Sequence, residues 1–329
     1  MIFEKINTVP TSDELIDKSF RRATRAMTGK QISGRESLLK ANESMMLTAA
    51  NILSDNLSNV VRRFPSFEHL PPFYYDLVDI IADVDELRQS LSRIGWASSK
   101  IHEISRQYVE QIRKSASPHQ VRKQAFGRMG SIMDSIDDDL LYLNEIRNKL
   151  RKLPDVKDEP TIVVAGYPNV GKSSFVSAIT GAHPEIASYP FTTKGVSIGH
   201  FMHEGERYQV IDTPGLLDRP MANRNDAEMQ AITALKHLDA VVFFILDPSE
   251  YCGYEMHDQM KLLKDVKENF SIPMLVGANK IDLNNVDSEA VIQMSTMTGE
   301  GVEKALGMLI KMLNEEAVTE PSAKSPVLF

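Results

Sequence analysis

The sequence predicts two architectures in series: an all-α helical bundle, then an α/β domain with a mainly parallel sheet and helices on both faces. Three observations predict it. Residues 1–153 contain almost no strand signal, whereas from Pro160 short apolar strand runs alternate with helical patterns. Between the strand run Thr161–Ala165 and the helical stretch Ser173–Thr180 lies Gly166-Tyr-Pro-Asn-Val-Gly-Lys-Ser173, a G-x-x-x-x-G-K-[ST] loop in the strand–loop–helix setting that motif requires. At 329 residues the chain also has room for two domains, each with its own core.

In the first domain, Thr11-Ser-Asp-Glu14 is a capping box that opens a helix running to about Met27. Residues 35–63 carry Leu38, Leu39, Met45, Met46, Ala49, Ile52, Leu53 and Val60 at helical spacing and stop at Phe64-Pro65. The turn His69-Leu-Pro-Pro72 leads into a helix over 73–94, and a separate helix covers 97–114. Ser117-Pro118, an N-cap followed by Pro at the first helical position, opens the last helix, 119–152, which ends at Leu153-Pro154. Long helices with short connections make residues 1–153 a bundle, joined to the second domain by the charged linker 154–159. Trp96 reads as a bundle anchor, and Phe73-Tyr74-Tyr75 beside Leu77, Val78, Ile80 and Ile81 reads as core. Asp137-Asp138-Asp139 reads as a solvated helix face, lacking the spaced ligands of a cation loop.

The second domain spans 160–316. Val196–His203 and Arg207–Ile211, joined by Glu204-Gly205-Glu206, form a hairpin that supplies the one antiparallel edge. Residues 239–246 are the central strand, 272–278 and 290–294 are further strands, and 302–315 is the closing helix. Twelve residues separate Asp282 from Ser295, too few for a full helix plus strand, so that crossover is abbreviated. The tail 317–329, with two prolines and no periodicity, reads as disordered.

The loops at the strand ends carry the chemistry. Gly166 and Gly171 let the backbone curl so that the N–H groups of Tyr167, Pro168-flanking Asn169, Val170, Lys172 and Ser174 can face phosphate. Lys172 brings a point charge to the β/γ-phosphates, and the Ser173 hydroxyl can ligate Mg²⁺. Asn279-Lys280-Ile281-Asp282 follows an apolar strand. Guanine offers N1–H and N2–H₂ as paired donors that the Asp282 carboxylate accepts together, and adenine offers no such pair, so GTP is favoured. Lys280 can lie over the base, and Asn279 can tie this loop to the first. In Asp212-Thr213-Pro214-Gly215, Asp212 can hold Mg²⁺ through water and the Gly215 N–H can meet the γ-phosphate. Ser295-Thr296-Met297 fits the last base-contacting loop. Four loops in this order predict an α/β P-loop GTPase domain that takes GTP/GDP and Mg²⁺. In the mobile loop after the first helix of this domain, Thr192 and Thr193, behind Phe191, both qualify as a second Mg²⁺ ligand.

Composition bounds the setting. The single cysteine, Cys252, excludes an internal disulfide framework and reads as a packing residue. The longest apolar run, 240–246, is too short to cross a bilayer, and no leader or lipidation box is present, so a soluble cytoplasmic protein without membrane contact is expected. The net charge of −8 is uneven: residues 1–153 balance to +3 and residues 154–329 to −11, and fourteen of the seventeen arginines lie in the first part. Arginine suits bidentate phosphate contact, which makes the bundle the candidate RNA face; arginines decorating helix exteriors fit equally well. The cluster Arg21-Arg22-Ala-Thr-Arg25 is open to the same two readings.

With these loops placed, the chain resembles the Obg-like GTPases and, within them, the nucleolar GTP-binding protein 1 (Nog) family in its archaeal-type short form. The resemblance is carried by 166–175, by Tyr189-Pro-Phe-Thr-Thr-Lys194, by the run Tyr208-Gln-Val-Ile-Asp-Thr-Pro-Gly-Leu-Leu-Asp-Arg-Pro220 and by Cys252-Gly-Tyr254. In the bundle it is carried by His69-Leu-Pro-Pro-Phe-Tyr74, Gly127-Arg-Met129 and Leu143-Asn-Glu-Ile-Arg147. It implies a monomeric GTPase acting on the precursor of the large ribosomal subunit and its rRNA, with no DNA partner. It also implies Thr193 as the Mg²⁺ ligand, and a place for K⁺ beside Asn169, where cation-dependent GTPases of similar loop sequence use an Asn. Lys172, Thr193 and Gly215 then carry catalysis. Leu216 stands where many small GTPases have a water-orienting glutamine, so intrinsic hydrolysis is expected to be slow. Two rival readings remain: a signalling or scaffold switch that recruits a protein without RNA, and an ATPase, which Asp282 opposes.

Overall fold

The computed structural model describes residues 2–26, 34–181, 185–187, 189, 195–219, 224, 226–283 and 290–319. The chain divides into two compact units, one of Met1–Leu70 with Ile81–Arg151, the other of Pro71–Ile80 with Lys152–Phe329. The segment Pro71–Ile80 therefore groups with the α/β unit, although the sequence places it inside the bundle.

The first unit contains α1 (Ser12–Arg25), α2 (Arg35–Arg63), α4 (Val84–Lys114), α5 (Pro118–Ser135) and α6 (Asp137–Leu150); α3 (Pro72–Ala82) precedes α4. The capping box at α1 is formed in both directions, with Thr11 Oγ1 accepting from the Glu14 N–H and Glu14 accepting from the Thr11 N–H. Helices α2 and α4 share the main core, burying Met46, Ala49, Ala50, Leu53 and Leu57 against Leu87, Ile94, Ala97 and Ile101. Small residues allow close approach there: Ser98 Oγ donates to Ser54 O at 3.0 Å and lies 2.9 Å from Ser58 Oγ.

Helix boundaries depart from the sequence expectation at two places. The break falls at Asp83, not between 94 and 97. Asp83 takes φ +47 and its carboxylate accepts from the Asp85 and Glu86 N–H groups, which starts α4. Gly95 is absorbed within α4, as an isolated glycine can be. The last helix is likewise two, separated at Ile136 (φ −116, ψ 9). Trp96 is 54% exposed and so lies outside the buried core of the bundle, not at its centre as an anchor. The aspartate run is a solvated face only in part, since Asp138 is exposed but its neighbours are engaged. Asp139 is buried and accepts a fork of bonds from Arg93, 2.9 Å from Nε and 2.5 Å from Nη2, and Asp137 accepts from the Ser12 N–H at 3.2 Å.

The second unit is a seven-stranded sheet with the order β2-β3-β4-β1-β5-β6-β7. Its elements run β1 (Thr161–Ala165), α7 (Lys172–Thr180), β2 (Glu185–Ala187), β3 (Val196–His203), β4 (Glu206–Asp212), α8 (Asp226–Ala234), β5 (Ala240–Leu246), α9 (Met256–Asn269), β6 (Met274–Ala278), β7 (Ile292–Gln293) and α10 (Val302–Thr319). Strands β4, β1, β5, β6 and β7 are parallel, while β2–β3 and β3–β4 are antiparallel. The antiparallel edge therefore has two pairs where the sequence suggests one, because β2 adds to the hairpin. The middle strand is β1, with β5 beside it. Every residue of β1 and β5 is buried, as expected for parallel strands covered on both faces. Glu204 and Gly205 both have positive φ (+51° and +89°), the requirement of a two-residue hairpin turn matched to strand twist.

The chain leaves β1 for β4 on one side and reaches β5 on the other, so the crevice at the carboxyl end of β1 is where such a sheet takes its ligand. Phe73 and Tyr74 are buried as expected, and the Tyr74 hydroxyl lies 2.9 Å from Pro154 O and 3.0 Å from Val156 O. The strand expected over 290–294 is only Ile292–Gln293, and the closing helix continues to Thr319; residues 320–329 lie outside the described residues. Among the described residues, no helix is long and apolar enough to cross a membrane.

Candidate nucleotide-binding site

The loop Gly166–Gly171 leaves β1 and turns into α7. Gly166 has φ +129° and Gly171 φ +107°, and a Cβ at Gly166 would stand 2.4 Å from Ile245 O. At Gly171 it would stand 2.1 Å from Asn279 Nδ2. Both positions thus exclude a side chain by conformation and by space. Val170 is fully buried beneath the loop, and Asn169, exposed, takes φ +63°. Lys172 is buried and its ammonium donates to Gly166 O at 2.7 Å and Tyr167 O at 2.8 Å, so the cation is held across the mouth of the loop. Tyr167 stacks obliquely on Tyr254 with ring centres 4.3 Å apart, and Pro168 is half-buried.

Beside the loop, Ser173 Oγ donates to Asp212 Oδ2 at 2.5 Å. Burial pushes the Asp212 carboxyl up from the ordinary carboxylate range, against the pull of the Ser173 hydroxyl and the Lys172 charge. Its other oxygen, Oδ1, is buried without a hydrogen-bond partner among the described residues. A buried carboxylate oxygen with an open valence next to a serine hydroxyl is the donor set a hard divalent cation takes, so Ser173 and Asp212 fit Mg²⁺. Thr213 is buried and its hydroxyl is committed to Val164 O at 3.0 Å, so its side chain fixes the loop; Pro214 follows it, half-buried. The Gly215 N–H donates to Asp218 Oδ2 at 2.7 Å. Leu216 is buried, which removes its side chain from the site.

The loops that follow β6 and β7 lie beside the loop Gly166–Gly171. Asn279 Nδ2 donates to Val170 O at 2.8 Å and to Thr296 Oγ1 at 3.1 Å, and its Oδ1 accepts from the Thr296 N–H at 2.9 Å. One buried amide thus ties the phosphate loop, the NKxD loop and the last loop together. Lys280, at φ +65°, places its ammonium 2.7 Å from Asp247 Oδ2. Asp282 Oδ1 accepts from Ser295 Oγ at 2.5 Å, and Ser295 Oγ also accepts from the Thr298 N–H at 3.2 Å. Met297 is 87% exposed at the tip of that loop. Ser174 is exposed on the first turn of α7. Phe191, Thr192 and Thr193 lie outside the described residues.

Two carboxylates escaped the sequence reading. Asp247, at the end of β5, is fully buried and accepts from Lys280, from the Ser249 N–H and hydroxyl, and from the Cys252 N–H. Burial opposes its ionisation, but these donors outweigh it and hold the carboxyl below its usual range. The Gln259 amide clamps the same turn, accepting from the Asp247 N–H and donating to Asp247 O and Tyr254 O. Asp218, on the Gly215 amide, is the other. The signal for Asp247 lay in the sequence, since it ends an apolar strand just ahead of the Cys252-Gly-Tyr254 stretch.

Residues 3–157 match the family model for the NOG1 N-terminal helical domain, and residues 226–282 match that for nucleolar GTP-binding protein 1 (NOG1). An uncharacterised protein of Methanocaldococcus jannaschii is 42% identical over 295 residues, covering 88% of this chain and 83% of that one. Nucleolar GTP-binding protein 1 of Drosophila melanogaster is 37% identical over 289 residues, covering 85% of this chain but 44% of the relative. The chain thus spans less than half of that eukaryotic relative. A Plasmodium falciparum crystal structure provisionally described as nucleolar GTP-binding protein 1 is 37% identical, covers 51% of this chain and 93% of its own, and superposes with a TM-score of 0.47.

Proposed function

The chain belongs to the nucleolar GTP-binding protein 1 family, and on that premise we propose that it binds GTP and GDP with Mg²⁺ and hydrolyses GTP as a switch in assembly of the large ribosomal subunit. The observation that carries the reading is the Asn279 amide, which joins the phosphate loop at Val170 to the loop bearing Asp282. A triphosphate cradle and a guanine-reading carboxylate are thereby fixed as one site.

Within it the backbone N–H groups from Asn169 to Ser174 face the phosphates at the start of α7, where the helix dipole adds to their attraction. Lys172 leaves its carbonyl partners for the β/γ-phosphates, a short exchange because both lie on the same loop. Mg²⁺, when bound, neutralises phosphate charge; Ser173 and Asp212 would hold it, with Thr193 as a further ligand. Asp282 accepts the two guanine donors, Ser295 holds it in place, and the Met297 N–H faces the base oxygen, the Thr296 N–H being held by Asn279.

Hydrolysis is slow in this reading because the buried Leu216 cannot orient water. Asn169, exposed and left-handed at the loop's rim, is the residue that would hold a monovalent cation. Faster turnover in KCl than in NaCl at equal ionic strength is expected, and equal turnover would remove K⁺ from the account.

The ribosomal part is supported by the N-terminal family match and by the arginine-rich, net-positive bundle sequence. Its test is co-sedimentation with large-subunit precursor particles across a salt series, with GTP or GDP. RNA contact predicts nucleotide-dependent binding that falls steeply with salt. A shallow salt dependence would favour a protein partner instead.

A further inference from the structure

We propose that Asp218 sets the preference between the triphosphate and diphosphate nucleotide, by occupying the amide that a γ-phosphate must take. The inference rests on the guanine-nucleotide reading and goes beyond it.

The Gly215 N–H is a single donor, and here it is spent on Asp218 Oδ2 at 2.7 Å. A carboxylate oxygen and a terminal phosphate oxygen are acceptors of the same kind, anionic and compact, so they compete for that hydrogen. The competition is also electrostatic, because a carboxylate already on the Gly215 N–H opposes a phosphate oxygen at the same hydrogen.

The next peptide, which joins Gly215 to Leu216, is also held. Arg224, whose side chain has no exposed surface, donates through Nη1 to Gly215 O at 3.1 Å and through Nη2 to Arg219 O at 3.1 Å. Its guanidinium stands 3.9 Å from Asp218 Oδ1, and its Nε is buried with no hydrogen-bond partner among the described residues. A carboxylate displaced from Gly215 thus has a charge-complementary neighbour with donor capacity to spare. Gly215, at φ +85°, can swing its peptide without the strain a Cβ would bring. GDP ends short of this amide and leaves the contact undisturbed; GTP must displace it. A carboxylate that merely capped the turn would bear equally on both nucleotides.

The test compares wild type, Asp218→Asn and Asp218→Ala for binding of fluorescent GDP and a fluorescent non-hydrolysable GTP analogue in Mg²⁺. Asp218→Ala is expected to bind the analogue about tenfold more tightly, the scale of one competing charge-assisted hydrogen bond, with GDP affinity unchanged within about twofold. Asp218→Asn keeps an acceptor without the charge and should give a smaller gain. An unchanged or reduced analogue-to-GDP affinity ratio in both variants overturns the proposal. So does loss of GDP binding in both, which would make Asp218 part of the scaffold. Wild type that binds neither nucleotide would instead remove the reading beneath it.

Discussion

Replacing Asn279 with alanine should weaken guanine nucleotides without removing any group that touches them. Asn279 makes three hydrogen bonds, to Val170 O, Thr296 Oγ1 and the Thr296 N–H, at 2.8, 3.1 and 2.9 Å. The side chain is 1% exposed, so its loss strands Val170 O and the Thr296 N–H in a largely dry place. Each net hydrogen bond is worth about 1 kcal/mol, and each stranded group costs about 1 kcal/mol or more. Water entering the emptied space recovers part of this. About 2–3 kcal/mol remains as the cost of holding the loops together. It sets an upper limit of roughly 30- to 150-fold on the weakening of GDP, reached where the loops separate in the free variant. The assay is titration of fluorescent GDP, with thermal melting of the nucleotide-free protein beside it. A GDP affinity within about threefold of wild type would show that the phosphate and base loops hold their relation without this amide.

Three further perturbations test neighbouring parts. Asp282→Asn should abolish guanine selectivity, read as the ratio of GDP to ADP affinity, because an amide cannot accept both guanine donors. Asp212→Asn should abolish Mg²⁺-dependent nucleotide affinity yet stabilise the nucleotide-free protein at neutral pH by on the order of 1 kcal/mol. The sign comes from burial raising this carboxyl: the stability it contributes is present in acid and is lost as pH rises through its folded value. The melting advantage of the Asn variant should therefore vanish below about pH 4, and an advantage that persists there would contradict the assignment. Tyr74→Phe removes a hydroxyl shared by Pro154 O and Val156 O and should cost about 1 kcal/mol, seen as a melting point lower by a few degrees.

What could be read in the sequence was what local spacing encodes. The strand–loop–helix around Gly166–Ser173, the capping box at Thr11 and the hairpin turn at Glu204-Gly205 each depend on a few neighbouring residues, and each is found where the spacing places it. The α2 boundaries are set by apolar periodicity and the Phe64-Pro65 stop. The helix break expected between 94 and 97 falls instead at Asp83, which adopts φ +47° and caps α4. Its spacing to Glu86 is an N-cap signature set within an otherwise continuous helical pattern. Elsewhere the deciding contact is distant in sequence. Asp139 is buried because Arg93, 46 residues away, meets it. Trp96 faces outward, since its size suggests an anchor and its position on α4 decides otherwise. In the candidate site the motif residues were legible, and their carboxylate neighbours were not. Asp247 pins Lys280 from a different strand end, and Asp218 reaches the Gly215 amide through the conformation of one loop.

The central claim is that one crevice grips a nucleotide's phosphates and reads its purine. Its most direct test is equilibrium titration of the nucleotide-free protein with fluorescent guanosine and adenosine diphosphates under identical Mg²⁺. Saturable GDP binding at least about 100-fold tighter than that of ADP is expected. Equal affinity for the two, or no binding of either, would contradict it.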